Sequence, residues 1–344
     1  MDLDGLLLTA ESAEELTGML VAGLRLDLPT VCAPLANAPL SAALVALGLA
    51  PGIGDPAKTA VSFIGTEGPS PRVLVDDFSL ANALRAGVAA GGGPEVLVHL
   101  AAIAREAGVA GFGRMMRVLA TETPEASPHW LREYGVPGLL SSLGDILHDA
   151  PTVAGNLKEN LPPVPPAPGE CSRLVFVRAR ASGAEAVCRV REGVTEAAGE
   201  CRVFDSEKKA VSGVLSGEIG DGTMLIVGGC GTRGGPGLLR LDALGRSLEE
   251  AGLELPVLTD GLAPKDAAGA WISLFTPEAA AGGALSLLRD GDILRIDFAE
   301  GHIRTGAGKF EHRELAEFPI SAGTAYAARY ARTALPALEG AGFG

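Results

Sequence analysis

The densest glycine cluster of the chain is Gly228-Gly-Cys-Gly-Thr-Arg-Gly-Gly-Pro-Gly237, which follows a predicted strand and precedes a predicted helix. Gly229, Gly231 and Gly234 fit the spacing G-x-G-x-x-G, in which backbone amides approach a pyrophosphate. Asp260 ends the next predicted strand, where an acid can bind ribose hydroxyls. One interpretation is therefore a dinucleotide site, although a single motif of this kind is a weak signal. The other is a turn with tight backbone packing.

Four side chains are candidate catalytic groups. Cys230 would be a nucleophile if backbone donors or Arg233 lowered its pKa, and otherwise is a small buried residue. Cys32 allows the same two interpretations. Lys265 would act as acid, base or Schiff-base amine if desolvated, and otherwise is a solvated loop lysine. Asp260 is a polar site residue or only a turn-former.

The overall composition excludes several classes of protein. The net charge is −14 and both halves of the chain are acidic, which makes nucleic acid an unfavourable partner. The acidic N-terminus and the lack of a long apolar run predict a cytoplasmic protein without a membrane span. Five widely spaced cysteines without C-x-x-C argue against a disulfide framework or an ordinary zinc site.

A proline-rich segment, Leu161-Pro-Pro-Val-Pro-Pro-Ala-Pro168, divides the chain, since prolines disfavour helices and central strands. Before it, apolar spacing predicts helices at 11–26, 41–49, 79–90 with Ser79 as N-cap, and 95–108. After it, strands at 173–178, 186–191, 223–227, 255–259 and 292–298 interleave with helices at 206–215, 238–251 and 277–288. The second part is therefore predicted to be a mixed α/β domain.

Several longer segments add a more specific signal. In the second part they are Arg202-Val-Phe-Asp-Ser-Glu207, Gly217-Glu-Ile-Gly-Asp221, Arg233-Gly-Gly-Pro-Gly237, Leu258-Thr-Asp-Gly261, Thr276-Pro-Glu-Ala-Ala-Ala-Gly-Gly283 and Asp290-Gly-Asp-Ile-Leu-Arg-Ile-Asp297. In the first they include Gly18-Met-Leu, Leu26-Asp-Leu-Pro-Thr30, Ser79-Leu-Ala-Asn-Ala-Leu84 and Leu147-His-Asp-Ala-Pro-Thr-Val153. Together they resemble the dihydroxy-acid dehydratase and phosphogluconate dehydratase family.

The resemblance implies an α/β protein of two domains. A helix-rich α/β domain, contracted relative to the longer family members, would span 1–161, with a linker at 162–170. A mixed α/β swivelling β-barrel-like domain would span 171–335, followed by a tail at 336–344.

The resemblance also implies a reaction, which the residues at the matching positions do not support. The family removes water from a 2,3-dihydroxy carboxylate with an iron–sulfur cluster, a magnesium ion and a serine base. Ser12, Ala13 and Glu14 stand where a cysteine, an aspartate and a lysine are expected, and Cys32 is at most one vestigial cluster ligand. Arg240 replaces a metal-binding glutamate, and Pro264 replaces the serine. We therefore expect neither cluster nor magnesium, and no other cofactor.

These observations leave three hypotheses. The first is a diverged, cluster-free family member that binds a small hydroxy- or keto-carboxylate and catalyses an altered lyase or isomerase-type step. Its binding residues would be Gly231, Thr232, Arg233, Gly234, Gly235 and Arg240. The second is a non-catalytic pseudoenzyme that serves as a scaffold or accessory subunit, and the third is the dinucleotide binder. A homodimer is expected because family members are homodimers.

Overall fold

The computed structural model describes residues 3–36, 39–159, 161–180, 182–234, 237–265, 268–305, 313–318 and 323–343. The chain forms two compact units, Met1–Arg173 and Leu174–Gly344. Helices and strands occur in both units, so the α/β fold class predicted from the sequence is confirmed.

The first unit is mostly helical. Its α-helices are α1 Ala13–Leu26, α2 Pro39–Ala46, α3 Pro56–Gly65, α4 Pro71–Leu74, α5 Asp77–Ala89, α6 Pro94–Ala107, α7 Phe112–Glu122 and α8 Pro128–Ser142. Its strands are β1 Leu6–Leu8, β2 Thr30–Cys32, β3 Pro124–Ala126, β4 Pro151–Thr152 and β5 Gly155–Asn156. β1 and β2 pair in parallel, and β4 and β5 form a small antiparallel ribbon.

Helix ends in this unit are fixed by short polar side chains. Ser12 caps α1 by accepting a hydrogen bond from the amide of Glu15. The predicted N-cap of α5, Ser79, is wrong by one turn. Asp76 is the cap, and its carboxylate accepts from the Ser79 amide, while the Ser79 hydroxyl oxygen accepts from the Asp76 amide. This reciprocal capping box places Ser79 inside the helix.

The proline-rich segment contains neither helix nor strand at the described residues 161–168. It lies against α8, where the indole of Trp130 donates to the carbonyl of Pro166 and the hydroxyl of Ser141 donates to that of Pro162. These bonds provide donors to two backbone carbonyls of a segment that forms no regular secondary structure, because its prolines have no amide to donate.

The second unit is built around a closed barrel of eight mixed strands. The strands are β6 Glu170–Ala179, which begins in the first unit, β7 Ala184–Arg191, β8 Glu196–Phe204, β9 Thr223–Val227, β10 Val257–Thr259, β11 Trp271–Thr276, β12 Ile293–Asp297 and β13 His302–Thr305. They follow the order β13-β12-β8-β9-β10-β11-β7-β6, and β6 closes the ring on β13. The helices are α9 Glu207–Leu215, α10 Asp242–Glu250 and α11 Ala325–Thr333.

Strand β9 explains how the helices attach to the barrel. Met224 and Ile226 belong to the barrel core, whereas Leu225 and Val227 pack with apolar residues of α9 and α10. Both faces of the strand are thus buried, which is why its sequence is an uninterrupted apolar run.

Two predicted helices of this unit have different bounds. The helix predicted at 238–251 begins only at Asp242, because Arg240 instead forms an isolated parallel bridge with Leu262. The helix predicted at 277–288 is two short 3-10 turns, Ala279–Ala281 and Ala284–Leu287. Between them the backbone of Gly283 lies so close to the Pro277 carbonyl that a side chain could not fit.

Across the part of the chain that the structure describes, no helix combines the length and apolar character needed to cross a bilayer.

Candidate functional site

The glycine loop, residues 228–234 and 237, follows β9. Asp260, which comes directly after β10, accepts hydrogen bonds from amides of this loop. One carboxylate oxygen of Asp260 accepts the amide of Cys230 at 2.8 Å, and the other accepts the amides of Gly229 at 3.1 Å and Ala279 at 3.0 Å. The side chain is 1% exposed, and this burial raises its pKa although the backbone donors oppose the shift. Asp260 therefore serves as a buried tie between three segments.

Glu278 also accepts hydrogen bonds from amides of the glycine loop. Its Oε1 accepts the Thr232 amide at 3.1 Å, and its Oε2 accepts the Arg233 amide at 2.6 Å. Burial raises the pKa of Glu278, and the nearby Asp260 carboxylate adds to that shift. Sequence reasoning missed this residue as a site group, although it stands in the Thr276-Pro-Glu segment that carries the resemblance.

A third carboxylate occupies the N-terminus of α10. Glu207 Oε1 accepts the amides of Ala243 at 2.8 Å and Leu244 at 3.0 Å. In a dinucleotide fold this position binds the pyrophosphate, and the last glycine of the motif opens the helix. Here Gly234 lies well before Asp242, where α10 begins, so the arrangement does not match the dinucleotide interpretation.

The glycines of the loop are required by close packing. A β-carbon at Gly231 would lie 2.6 Å from the carboxyl carbon of Glu278, and one at Gly234 would lie 2.5 Å from Ala280 Cβ. Gly234 also has a φ of +95°, which favours glycine. Both are buried, which is the geometry of the tight-turn interpretation. Gly235 lies outside the described residues.

The two candidate thiols are buried. Cys230 is 1% exposed, and burial, reinforced by the charge of Asp260, raises the pKa of its thiol to about 12. Cys32, in β2 of the first unit, is fully buried, and burial raises its pKa to about 12 as well. A nucleophilic cysteine needs the thiolate, so this shift opposes a nucleophilic role for both residues.

Thr232 and Arg233 face the end of the chain. The Arg233 guanidinium donates from Nε to the carbonyl of Ala334 at 2.9 Å, and the Thr232 hydroxyl lies 2.9 Å from the carbonyl oxygen of Leu335. Thr232 is fully buried and Arg233 half-buried. The loop thus places these side chains against protein backbone.

Arg240 lies beside the turn that follows β10. Its Nη1 donates to the carbonyl of Ala263 at 3.0 Å. Pro264 packs on Gly245 of α10, where a β-carbon would lie 2.6 Å from the proline ring, and the exposed Lys265 follows. Arg240 therefore contacts the turn that also carries the exposed Lys265.

The residues at the matching positions do not fit the cofactors of the family. Arg240 offers donors where a metal needs an oxygen ligand, and Pro264 carries no exchangeable proton. In the first unit Ser12 is committed to capping α1. Among the described residues, no cluster of three or more histidine, cysteine, aspartate or glutamate side chains has the arrangement of a metal site.

Comparison with known proteins gives the chain its family. Residues 180–341 match the family model described as "Dihydroxy-acid/6-phosphogluconate dehydratase C-terminal". The chain is 31% identical over 255 residues to a dihydroxy-acid dehydratase of Citrifermentans bemidjiense, covering 66% of this chain and 46% of that protein. The corresponding enzyme of Methylococcus capsulatus is 30% identical over 312 residues, which cover 80% of this chain and 55% of the relative. The chain spans about half the length of these relatives, and it belongs to the dihydroxy-acid dehydratase family.

Proposed function

We propose that this chain is a diverged, cluster-free dehydratase-family protein that binds a small hydroxy- or keto-carboxylate through a cationic site at Arg240 and Lys265. A fixed positive charge would do here what a bound metal does in the family, which is to hold an acidic substrate. The relatives are dihydroxy-acid dehydratases, so a carboxylate ligand is the class that the family suggests.

The position of Arg240 carries this proposal. The backbone of Arg240 forms a bridge with Leu262, and its Nη1 donates to the Ala263 carbonyl. These two contacts fix the position of the guanidinium at the turn. A planar guanidinium can bind a carboxylate with two parallel hydrogen bonds, and fixing it beforehand lowers the entropic cost of binding. Lys265 adds a second cation from the exposed side of that turn.

The glycine loop itself supports anion binding less well than its sequence suggests. The amides of Gly229, Cys230, Thr232 and Arg233 all donate to the carboxylates of Asp260 and Glu278. A ligand carboxylate would have to displace one of these buried groups. We therefore assign carboxylate binding to Arg240 and Lys265.

Any altered lyase or isomerase-type step would depend on Lys265. It is exposed, whereas the three other candidate catalytic side chains, Cys230, Asp260 and Cys32, are each at most 1% exposed. The exposure of Lys265 matches the interpretation of a solvated loop lysine, so general acid–base catalysis by its amine would require a bound ligand to shield the amine from water.

Isothermal titration calorimetry with a set of 2-keto and 2,3-dihydroxy acids, each paired with its neutral amide, tests the binding site. We expect acids but not amides to bind, and Arg240→Gln to weaken binding at least about tenfold because a charge-assisted pair is lost. Arg246→Gln is the matched control, since Arg246 is an exposed arginine of the adjacent helix α10. Equal affinity of the two variants would rule out the proposed site.

A second candidate function is a non-catalytic accessory subunit. Burial of both thiols and of Asp260, each with a raised pKa, favours it because none of these groups is activated for chemistry. Native mass spectrometry of protein purified from its source without a tag distinguishes the two functions. A stoichiometric protein partner supports the accessory role, whereas a copurified small acid supports the binding role, and the same spectrum tests the expected homodimer.

A further inference from the structure

The C-terminal segment, residues 325–343, folds onto the glycine loop through a small set of polar contacts. The Ala334 carbonyl accepts from Arg233 Nε at 2.9 Å, and the Leu335 carbonyl lies 2.9 Å from Thr232 Oγ1. Within the segment, the amide of Leu335 donates to the Gly342 carbonyl and the Tyr330 hydroxyl donates to that of Ala341. The first two are hydrogen bonds between the described residues of the segment and of the loop.

The Thr232 hydroxyl lies within hydrogen-bond distance of two other oxygen atoms, and the number of protons available decides which hydrogen bonds can form. Thr232 Oγ1 lies 2.7 Å from Glu278 Oε1 and 2.9 Å from the Leu335 carbonyl oxygen. A hydroxyl has one proton to donate, and neither a carbonyl nor an ionised carboxylate has any. With Glu278 ionised, three oxygens would share one proton, and one of the two short contacts would join two acceptors.

We propose that Glu278 carries a proton in the folded protein and that this proton latches the C-terminal segment to the glycine loop. The carboxyl O–H of Glu278 donates to Thr232 Oγ1, and the Thr232 hydroxyl passes its own proton to the Leu335 carbonyl. Each of the three oxygens then has a hydrogen-bond partner, which buried polar atoms require.

The surroundings of Glu278 favour its neutral form. Its side chain and that of Thr232 are buried, and the resulting desolvation raises the pKa of Glu278, although the hydrogen bonds from the Thr232 hydroxyl and from the Thr232 and Arg233 amides lower it. The carboxylate of Asp260 approaches from the end of β10, and the phenol of Tyr330 faces Glu278 from α11. Arg233 contributes its backbone amide to Glu278 but directs its Nε to Ala334. Among the described side chains, no ion pair neutralises Glu278.

The latch is therefore sensitive to pH. When rising pH removes the proton, the Thr232 hydroxyl donates to the Glu278 carboxylate and the Leu335 carbonyl loses its donor. Of the two hydrogen bonds between the described residues of the segment and of the loop, the one from Arg233 to Ala334 then remains. Opening the segment would expose Thr232 and Arg233, so the latch also controls access to this face of the loop.

Hydrogen exchange at the amides of residue 335 and residues 339–341 tests the latch. The exchange rates are expressed as protection factors, because protection factors correct for the intrinsic effect of pH on exchange. In the wild-type chain we expect protection to fall as pH rises. Glu278→Gln can donate to Thr232 Oγ1 from its NH₂ group but then leaves the Thr232 amide without its acceptor, so its protection should be lower than wild type at low pH and should not change with pH. Thr232→Val removes the donor to Leu335, so its protection should be about tenfold below wild type at low pH, as loss of one buried hydrogen bond predicts, and should not change with pH. Glu249→Gln, on the exposed face of α10, should behave as wild type.

Infrared spectroscopy of the wild-type chain keeps the test independent of variants that fail to fold. A protonated carboxylic acid has a carbonyl band distinct from that of a carboxylate. At neutral pH, ¹³C-labelled glutamate should shift part of that band, which separates Glu278 from Asp260. Absence of a glutamate-derived band, or wild-type protection that does not change with pH, would overturn the proposal.

Discussion

At the scale of single residues, three acidic side chains organise the loop region and sequence reasoning recognised only one of them. Asp260 was proposed as a possible site residue or turn-former, and the structure makes it a tie for the amides of Gly229, Cys230 and Ala279. Glu278 and Glu207 act in the same way on other amides. Their sequence positions carry no local signal, because each bonds a segment that is distant along the chain.

Asp260→Asn should destabilise the second unit. An asparagine has one acceptor oxygen, and its NH₂ group would face one of the three backbone donors, so at least one buried amide loses its partner. We expect a loss of about 2 kcal/mol in the free energy of unfolding, measured by urea denaturation. Asp221→Asn, at an exposed turn, should change it little. Equal stability of the two variants would show that Asp260 is not a tie.

The thiols give a second prediction at this scale. With pKa values of about 12, Cys32, Cys188 and Cys230 have a thiolate fraction near one in ten thousand at pH 8. These thiols should react with a disulfide reagent only when the chain unfolds. Half-buried Cys171 should react first. Rapid labelling of Cys230 in the folded chain, identified by peptide mass mapping, would contradict this prediction and would support Cys230 as a nucleophile.

At the scale of elements, local patterns predicted the regular pieces and long-range contacts decided the rest. Strand β9 and helix α9 were predicted within a residue of their observed ends, because a buried apolar run and an amphipathic stretch carry their own signals. The start of α10 and the 277–288 region were predicted incorrectly. Their conformations depend on the Arg240–Leu262 bridge and on the contact between Gly283 and Pro277.

Gly283→Ala tests the packing of that region. A β-carbon there would lie 1.7 Å from the Pro277 carbonyl oxygen, so the backbone that positions Glu278 must move. We expect a cost of about 3 kcal/mol in unfolding free energy, at the upper end for overpacking. Gly220→Ala is the matched control, since nothing lies within 4 Å of its added carbon. A Gly283→Ala protein as stable as the control would contradict the described turn.

At the scale of the whole molecule, the chain belongs to the family by its sequence and has its α/β fold class, and we propose that it differs from the family at the catalytic and cofactor-binding positions. Segments such as Leu258-Thr-Asp-Gly261 and Thr276-Pro-Glu match the family and contain Asp260 and Glu278, which hold the loop together. The family could thus be recognised from sequence, because its motifs largely encode structure. The candidate ligand site could not be fully predicted. Sequence alone does not show that the loop amides already donate to Asp260 and Glu278, because these contacts form only in the folded chain.

The stability of the molecule should depend on pH through the same carboxyl groups. Asp260 and Glu278 have raised pKa values in the folded state, so the unfolded chain releases their protons at lower pH. Their contribution to stability is therefore greatest below the unfolded-state pKa and decreases as pH rises to the folded-state values. Glu278→Gln should make the loss of stability with rising pH shallower than in wild type, as measured by thermal unfolding. A steeper loss in the variant would reverse the sign argued here.

We propose that this family member lacks the chemistry of the cluster while it has the fold of the family. Iron and acid-labile sulfide analysis of the anaerobically purified chain, read together with its visible spectrum, tests it most directly. We predict a colourless protein with iron and sulfide far below one per chain. A brown protein with iron and sulfide in stoichiometric amounts would contradict the claim.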